Sequence, residues 1–558
     1  MNRAENLRRL QSEQFDLCII GGGASGAGCA LDAVLRGLKV ALVEKADFAA
    51  GTSSKSTKLV HGGVRYLEQA FKNFDFAQLR QLRHGLEERH TVLRNAPHLA
   101  QPLALVTPVF NWWESLYFSI GLKLYDWFAA GKGNLPKSRR LSKSETLRRM
   151  PGLTNKIHSA VLYYDGQLDD ARYCLALIQS AAAAGAVVAN HLEVVDFEKD
   201  KAGKLTGATV KNRVDNSSLI TDPSSFIIRS KLFLNCTGPH ADHIRLLANP
   251  ELTPRLRPSK GVHVVLPHAT LGSDDALLIP KTRDGRVVFA IPFEGQLLLG
   301  TTDDDYSDLE KEPVLEADEV DFLLETLQPF LKEKIDNKLI KAGFGGLRPL
   351  ITSSNQRIPK STNNQTKSLV RDHETEHDPA SNLLSLLGGK WTTYRLMAKD
   401  AVDAVCDLLG NSVECSTASQ RLAGAEGWYP DFWKKMLEAY GLETDIAQHL
   451  AQKYGSCAVF PAGLASERPE LSGRLLQGFH FLKAEVIYAV REEMACTLRD
   501  FLARRIRLEI TDWKAAEAAA PEVARLMGIE LGWSPERQQQ ATTEYVTLIQ
   551  SFRHRAAG

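Results

Sequence analysis

The chain has 558 residues, 44% of them hydrophobic, enough for two or three domains whose cores need no covalent staple. Lys and Arg number 68 against 67 Asp and Glu, so no global field draws in nucleic acid or an anionic surface, and any affinity for anions has to be local. The eight cysteines are scattered, without a C-x-x-C or a zinc-type Cys/His grouping, which predicts reduced thiols, no metal site and a cytoplasmic chain.

Residues 1–14 are predicted to be a polar N-terminal extension without the apolar core of a signal peptide. Elsewhere no apolar run reaches about 18 residues, so a membrane span is not expected. Phe15 to Ile20 predicts a strand, Ala24 to Arg36 a helix and Lys39 to Glu44 a second strand, a βαβ unit that implies a parallel sheet. Strand-like runs recur at Ala186 to Phe197, Phe226 to Asn235, Val262 to Leu266, Val287 to Pro292 and Leu297 to Gly300. These predict a second sheet. Past about Gly410 the texture becomes helical, so residues 15–410 are expected to form one interleaved region, 411–422 a linker and 423–558 a helical C-terminal domain. Within that domain, Phe479 to Arg507 carries apolar residues at helical spacing (Leu482, Val486, Val490, Met494, Leu498, Leu502), the mark of a packing stripe.

Directly after the first strand, Gly21, Gly23 and Gly26 fit G-x-G-x-x-G. The first glycine permits the tight turn, the second lets a pyrophosphate approach the helix N-terminus, and the third allows close helix–strand packing. Glu44, about twenty residues on, can accept hydrogen bonds from a ribose diol, which disfavours a 2′-phosphate cofactor. The following run, Thr52 to Gly63, is rich in small and hydroxyl-bearing residues and suits an extended flavin dinucleotide, FAD, more than a nicotinamide. Thr237 and Gly238, where the Phe226 to Asn235 strand gives out, are a second contact candidate. Gly343 to Gly346 and Gly388-Gly389 lack a following helix pattern, so no second dinucleotide fingerprint is expected.

The runs His61-Gly62-Gly63-Val64-Arg65-Tyr66-Leu67-Glu68, Gly300-Thr301-Thr302-Asp303, Gly345-Gly346-Leu347-Arg348-Pro349-Leu350 and Gly388-Gly389-Lys390-Trp391-Thr392-Thr393-Tyr394-Arg395 resemble FAD-dependent glycerol-3-phosphate dehydrogenases. The likeness implies an α/β fold: an FAD-binding Rossmann-type domain of the D-amino-acid-oxidase/glycine-oxidase type, an inserted antiparallel substrate-binding sheet, and a helical C-terminal cap. It implies hydride transfer from sn-glycerol 3-phosphate to flavin, giving dihydroxyacetone phosphate, with the electrons passed to a quinone. It also implies cofactor contacts from Gly21, Gly23, Gly26, Glu44, Thr52, Ser53, Ser54, Lys58, Leu59, His61, Gly62, Thr237, Gly238, Gly389 and Thr392.

Such a reaction needs a base for the hydroxyl proton, a cation beside the developing alkoxide, and anchors for a phosphate. His263 is assigned as the proton acceptor, Arg348 as the alkoxide stabiliser, and Arg65, Tyr66, Arg371 and Lys390 as substrate-binding residues. Arg65, Arg348 and Lys390 are expected in Gly-flanked turns, and His263 within an apolar strand. The aromatic stretch Val109 to Phe128 suits either a bilayer interface or a buried contact, and family members of the respiratory kind sit peripherally on the inner face of the cell membrane. A homodimer is compatible with these expectations. Two alternatives stay open: an oxidase of the same substrate that produces hydrogen peroxide, and a flavin-binding tRNA-modifying or structural protein, which the balanced charge disfavours.

Overall fold

The computed structural model describes residues 1–62, 76–129, 135–214, 224–282, 285–352 and 373–558. Gln14–Ile20 is apolar but for its first residue and Asp16, and is buried along most of its length, as befits the interior of a parallel sheet. It pairs in parallel with Val40–Val43 on one side and Ser225–Asn235 on the other. Val187–Ala189 and Leu383–Gly388 extend the parallel array, while His373–Asp378, Leu192–Lys199 and Leu205–Asn212 add antiparallel strands to make eight in all. The run Ala186 to Phe197 is thus two strands, divided at His191, whose φ is +54°. Asn190 immediately before the break anchors it by donating to Asp47.

The register puts Ile20 beside both Val43 and Asn235, so Gly21, Glu44 and Cys236 emerge together from the carboxyl ends of three neighbouring strands. Such a crevice is where open α/β sheets bind ligands. The helix Ala24–Leu35 lies close against Tyr394–Leu409 because Gly28 carries no side chain: a Cβ there would stand 3.0 Å from the Tyr394 ring. The first residues form a helix, Arg3–Ser12, which buries Leu7 and Leu10 in the same apolar cluster as Phe15 and Val187.

The second sheet has ten strands. It is antiparallel except that Ala276–Ile279 runs parallel to Ala100–Val109, because these strands come from distant parts of the chain and no hairpin joins them. Its strand Ser259–Pro267 lies between Gln296–Gly300 and Ala342–Arg348, setting His263 opposite both Gly300 and Phe344, and Ser259 opposite Arg348.

The helix Tyr394–Leu409 stops at Gly410, which takes the left-handed conformation of a C-cap (φ +70°). From Phe432 on, every named element among the described residues is helical. The stripe within Phe479 to Arg507 is not one helix. Lys483–Glu493 ends at Met494 in the left-handed region (φ +54°), and a six-residue π-helical turn, Asp500–Arg505, follows. The stripe still packs: Leu482, Val486, Leu498 and Leu502 belong to one apolar cluster that also holds Val264 and Leu299 of the second sheet. Among the described residues no helix is long and apolar enough to cross a membrane.

Candidate active site

A cavity of about 1760 Å³ is lined by residues of both sheets. Drug-sized ligands occupy about 300–1,000 Å³, so there is room for an extended cofactor and a small substrate together. One wall is the predicted fingerprint. Gly21 has φ +109°, open to glycine and strained for other residues, and a Cβ there would stand 2.7 Å from the Cys236 carbonyl oxygen. A Cβ on Gly26 would overlap the Gly21 carbonyl oxygen, so the helix can start this close to the strand only with glycine there. A Cβ on Gly23 would sit 2.8 Å from Ser53 Oγ and fill the cradle at the helix N-terminus.

That N-terminus is ringed by groups suited to a dinucleotide. The Ala24 N–H donates to Ser53 Oγ (2.9 Å), and the Ser53 carbonyl is held in turn by Trp391 Nε1 (2.9 Å). The Glu44 carboxylate accepts from the N–H groups of Gly22 (2.7 Å) and Ala46 (2.9 Å); burial raises its pKa against the lowering effect of those bonds. Backbone donors and hydroxyls at a helix N-terminus suit a pyrophosphate, and a carboxylate at the next strand end suits a diol. These residues fit FAD.

The opposite wall carries the candidate chemistry. His263 is 2% exposed, stacks on Phe344 at 4.7 Å between ring centroids, and shares a 3.1 Å hydrogen bond between Nε2 and Thr57 Oγ1, while among the described residues Nδ1 has no partner. Burial first, then the nearby Lys58 and Arg348, hold its pKa well below the ordinary value, so the ring is neutral at pH 7. Glycine makes its place: a Cβ on Gly300, the residue opposite in register, would overlap the imidazole. Arg348 ends the strand Ala342–Arg348 and so stands on a sheet edge, not in a turn. Its Nη1 donates to Asp303 Oδ1 (3.0 Å) and Ser259 Oγ (3.3 Å), and its Nη2 to the Thr302 carbonyl (2.9 Å) and Thr301 Oγ1 (3.2 Å). Gly261 leaves room for that guanidinium.

Of the cofactor candidates, Gly21, Gly23, Glu44, Thr52, Ser53, Leu59, His61, Gly62, Thr237, Gly238, Gly389 and Thr392 line this cavity, as do His263, Arg348 and Lys390. Gly26 supports the wall from behind. Ser54 and Lys58 do not line it: Lys58 is fully buried, with Nζ donating to Asp170 Oδ2 (2.7 Å) and to the Ser54 carbonyl (2.8 Å). A run of hydroxyl and basic residues does not disclose which side each faces. Arg65, Tyr66 and Arg371 lie outside the described residues. A helix does follow Gly388-Gly389, at Tyr394–Leu409, but Gly389 at φ +86° packs against the Met397 side chain and offers no second cradle.

Several lining or supporting residues escaped sequence reasoning. Thr57 sits inside the hydroxyl-rich run and Asp303 inside Gly300-Thr301-Thr302-Asp303, so both carried a signal. Thr497, Arg499, Asp500 and Arg504 reach the cavity from the C-terminal domain, and nothing local in the sequence announces that.

Comparison with known proteins places these features. The family model described as FAD dependent oxidoreductase matches residues 16–393, and the model for the C-terminal domain of alpha-glycerophosphate oxidase matches residues 415–538. The chain is 41% identical over 550 residues to the mitochondrial glycerol-3-phosphate dehydrogenase of Rattus norvegicus, covering 97% of this chain and 74% of that protein. To the Arabidopsis thaliana mitochondrial glycerol-3-phosphate dehydrogenase it is 40% identical, covering 97% and 87%. The solved glycerol-3-phosphate dehydrogenase from Bacillus halodurans, complexed with FAD, superposes with a TM-score of 0.79 at 30% identity over 98% of each chain.

Proposed function

This chain belongs to the FAD-dependent glycerol-3-phosphate dehydrogenase family, and on that footing we propose that it oxidises sn-glycerol 3-phosphate to dihydroxyacetone phosphate and passes the electrons to a membrane quinone. The observation that carries the reading is the opening of His263, Arg348 and Lys390 onto the same cavity as the Gly21–Gly23 turn. Bound FAD supplies the hydride acceptor for the C2 hydrogen of the substrate.

The chain's own residues do the rest. His263, neutral in its buried setting, takes the hydroxyl proton at Nε2, the nitrogen on the Thr57 side. A bound phosphate dianion raises the affinity of the ring for that proton, which favours the transfer only when substrate is present. Arg348, fixed by Asp303, Ser259 and Thr302, stabilises the charge that develops on the substrate oxygen. Lys390, with Arg65 and Arg371, anchors the substrate, and Tyr66 hydrogen-bonds nearby.

The quinone reading draws support from the helix Trp112–Ala129. It exposes Trp112, Trp113, Leu116, Tyr117 and Ile120, and the two indoles stack at 3.7 Å. Trp and Tyr favour the bilayer interface. Phe118 and Leu122 of this helix line the cavity and belong to one apolar cluster with Leu105, Leu278 and Phe289. A lipid-soluble acceptor held at this helix would lie beside the cavity, which supports the quinone reading.

The test is anaerobic reduction with sn-glycerol 3-phosphate, followed by separate additions of a short-chain quinone and of oxygen. Bleaching by the substrate with rapid reoxidation by quinone is the expected result. Rapid reoxidation by oxygen with release of hydrogen peroxide identifies an oxidase instead, and absence of bleaching refutes the substrate.

A further inference from the structure

The wall Glu44–Lys58 runs along the cavity with little structure of its own, a single 3-10 turn at Thr52–Ser54. Two of its non-glycine residues, Ala49 and Lys58, both with φ +61°, occupy the left-handed region, which persists only where surroundings impose it. Part of these surroundings comes from the C-terminal domain, whose arginines reach Asp47 and the Ser54 carbonyl.

There are two grips. At the first, the buried carboxylate of Asp47 accepts from Arg504 Nε (2.6 Å), from Arg505 Nη1 (2.6 Å) and Nη2 (3.0 Å), and from Asn190 Nδ2 (2.9 Å). At the second, Arg507 Nη2 donates both to the Ser54 carbonyl (2.8 Å) and to Asp170 Oδ1 (2.8 Å). The other oxygen of Asp170 takes the loop itself: Ser56 N–H (3.0 Å), Ser56 Oγ (2.7 Å) and Lys58 Nζ (2.7 Å). Arg507 is fully buried and does not line the cavity.

We propose that the segment Asp500–Arg507 is a clamp that completes the FAD site by fixing the Glu44–Lys58 wall, with Arg507 as its positioning residue. A cover needs only an apolar underside. Here charged groups are buried against carboxylates, and parting them would strand unpaired charge in a poorly solvated interior. The domain therefore cannot loosen without releasing the wall. By linkage, FAD that holds the wall also holds the clamp, and the coupling is equal in both directions.

Arg507→Lys keeps the charge but loses the planar guanidinium, whose Nη1 holds the Ala503 carbonyl while Nη2 reaches Ser54 and Asp170. Titration of its apoprotein with FAD should show a dissociation constant raised about tenfold or more, the scale of one charge-assisted hydrogen bond. Because Arg507 is buried, the apoprotein's unfolding temperature is expected to fall as well, so the affinity is read at a temperature where the variant is folded. Wild-type affinity in the folded variant, or a loss confined to thermal stability, overturns the proposal. Should the variant not fold, hydrogen exchange in the wild type decides. Amides of residues 500–507 should exchange more slowly in the holoenzyme than in the apoprotein, and equal rates refute the clamp.

Discussion

Thr57 Oγ1 and His263 Nε2 meet at 3.1 Å, joining the hydroxyl-rich loop to the strand Ser259–Pro267 of the second sheet. Among the described residues this is the hydrogen bond that orients the imidazole, since Nδ1 has no partner there. Thr57→Val keeps the shape and removes the hydroxyl. The rate of anaerobic flavin bleaching at saturating substrate is expected to fall about tenfold, the scale of one orienting hydrogen bond, with FAD content unchanged. Thr57→Ser should restore it. An unchanged rate in Thr57→Val would mean that His263 needs no such orientation.

A second expectation concerns pH and the buried histidines. His98 is 1% exposed, and burial, reinforced by Arg172, lowers its pKa to about 3. The unfolded chain titrates at about 6.5, so below that pH the unfolded state binds a proton that the native state does not. Stability therefore falls as the pH drops from about 6.5 toward 3, and this group contributes no slope above that window. At pH 5 the cost is about 2 kcal/mol. His263 acts in the same direction. His98→Gln should reduce the drop in Tm between pH 7 and pH 5, and a drop as large as that of the wild type would contradict the assignment.

Much of this was legible in the sequence because the determining contacts are local. Gly21 to Gly26 and Glu44 specify a crevice through a strand, a turn and a helix within thirty residues of chain. His263 and Arg348 were legible as residues through motif, but their surroundings were not. Their supports, Thr57 and Asp303, depend on strand register between distant segments. Lys58 looked like its hydroxyl-bearing neighbours, and only the burial of Asp170 behind the loop turns it inward. The arginines at 504, 505 and 507 read as charges between stripe residues. Their partners, Asp47 and Asp170, lie more than three hundred residues away.

Gly23 separates cofactor binding from folding. An added Cβ would meet only Ser53, a movable side chain, 2.8 Å away, whereas on Gly26 it would strike backbone. Gly23→Val should therefore yield folded protein that has lost most of its FAD, seen as a colourless product with wild-type far-UV circular dichroism. Gly26→Val should be destabilised as well, because strand and helix can no longer approach. Stoichiometric FAD in Gly23→Val would contradict the placement of the cradle.

Arg348 gives the sharpest test of the chemistry. Its guanidinium is held at both ends, Nη1 by Asp303 and Ser259 and Nη2 by Thr301 and the Thr302 carbonyl, so it is oriented before substrate arrives. A preorganised cation acts most strongly where charge develops, on the substrate oxygen as hydride leaves. Arg348→Lys keeps the charge and loses the planar fork. Removing one such electrostatic donor costs about a hundredfold to a thousandfold in rate, on the order of 3 kcal/mol. Asp303→Asn should give a smaller loss in the same parameter, because the guanidinium keeps its other partners. FAD content should stay normal in both, since Gly21 to Gly26 and Glu44 are untouched. The readout is the anaerobic bleaching rate across substrate concentrations. A reduced saturated rate identifies transition-state stabilisation, while an unchanged saturated rate reached only at higher substrate makes Arg348 a ground-state anchor.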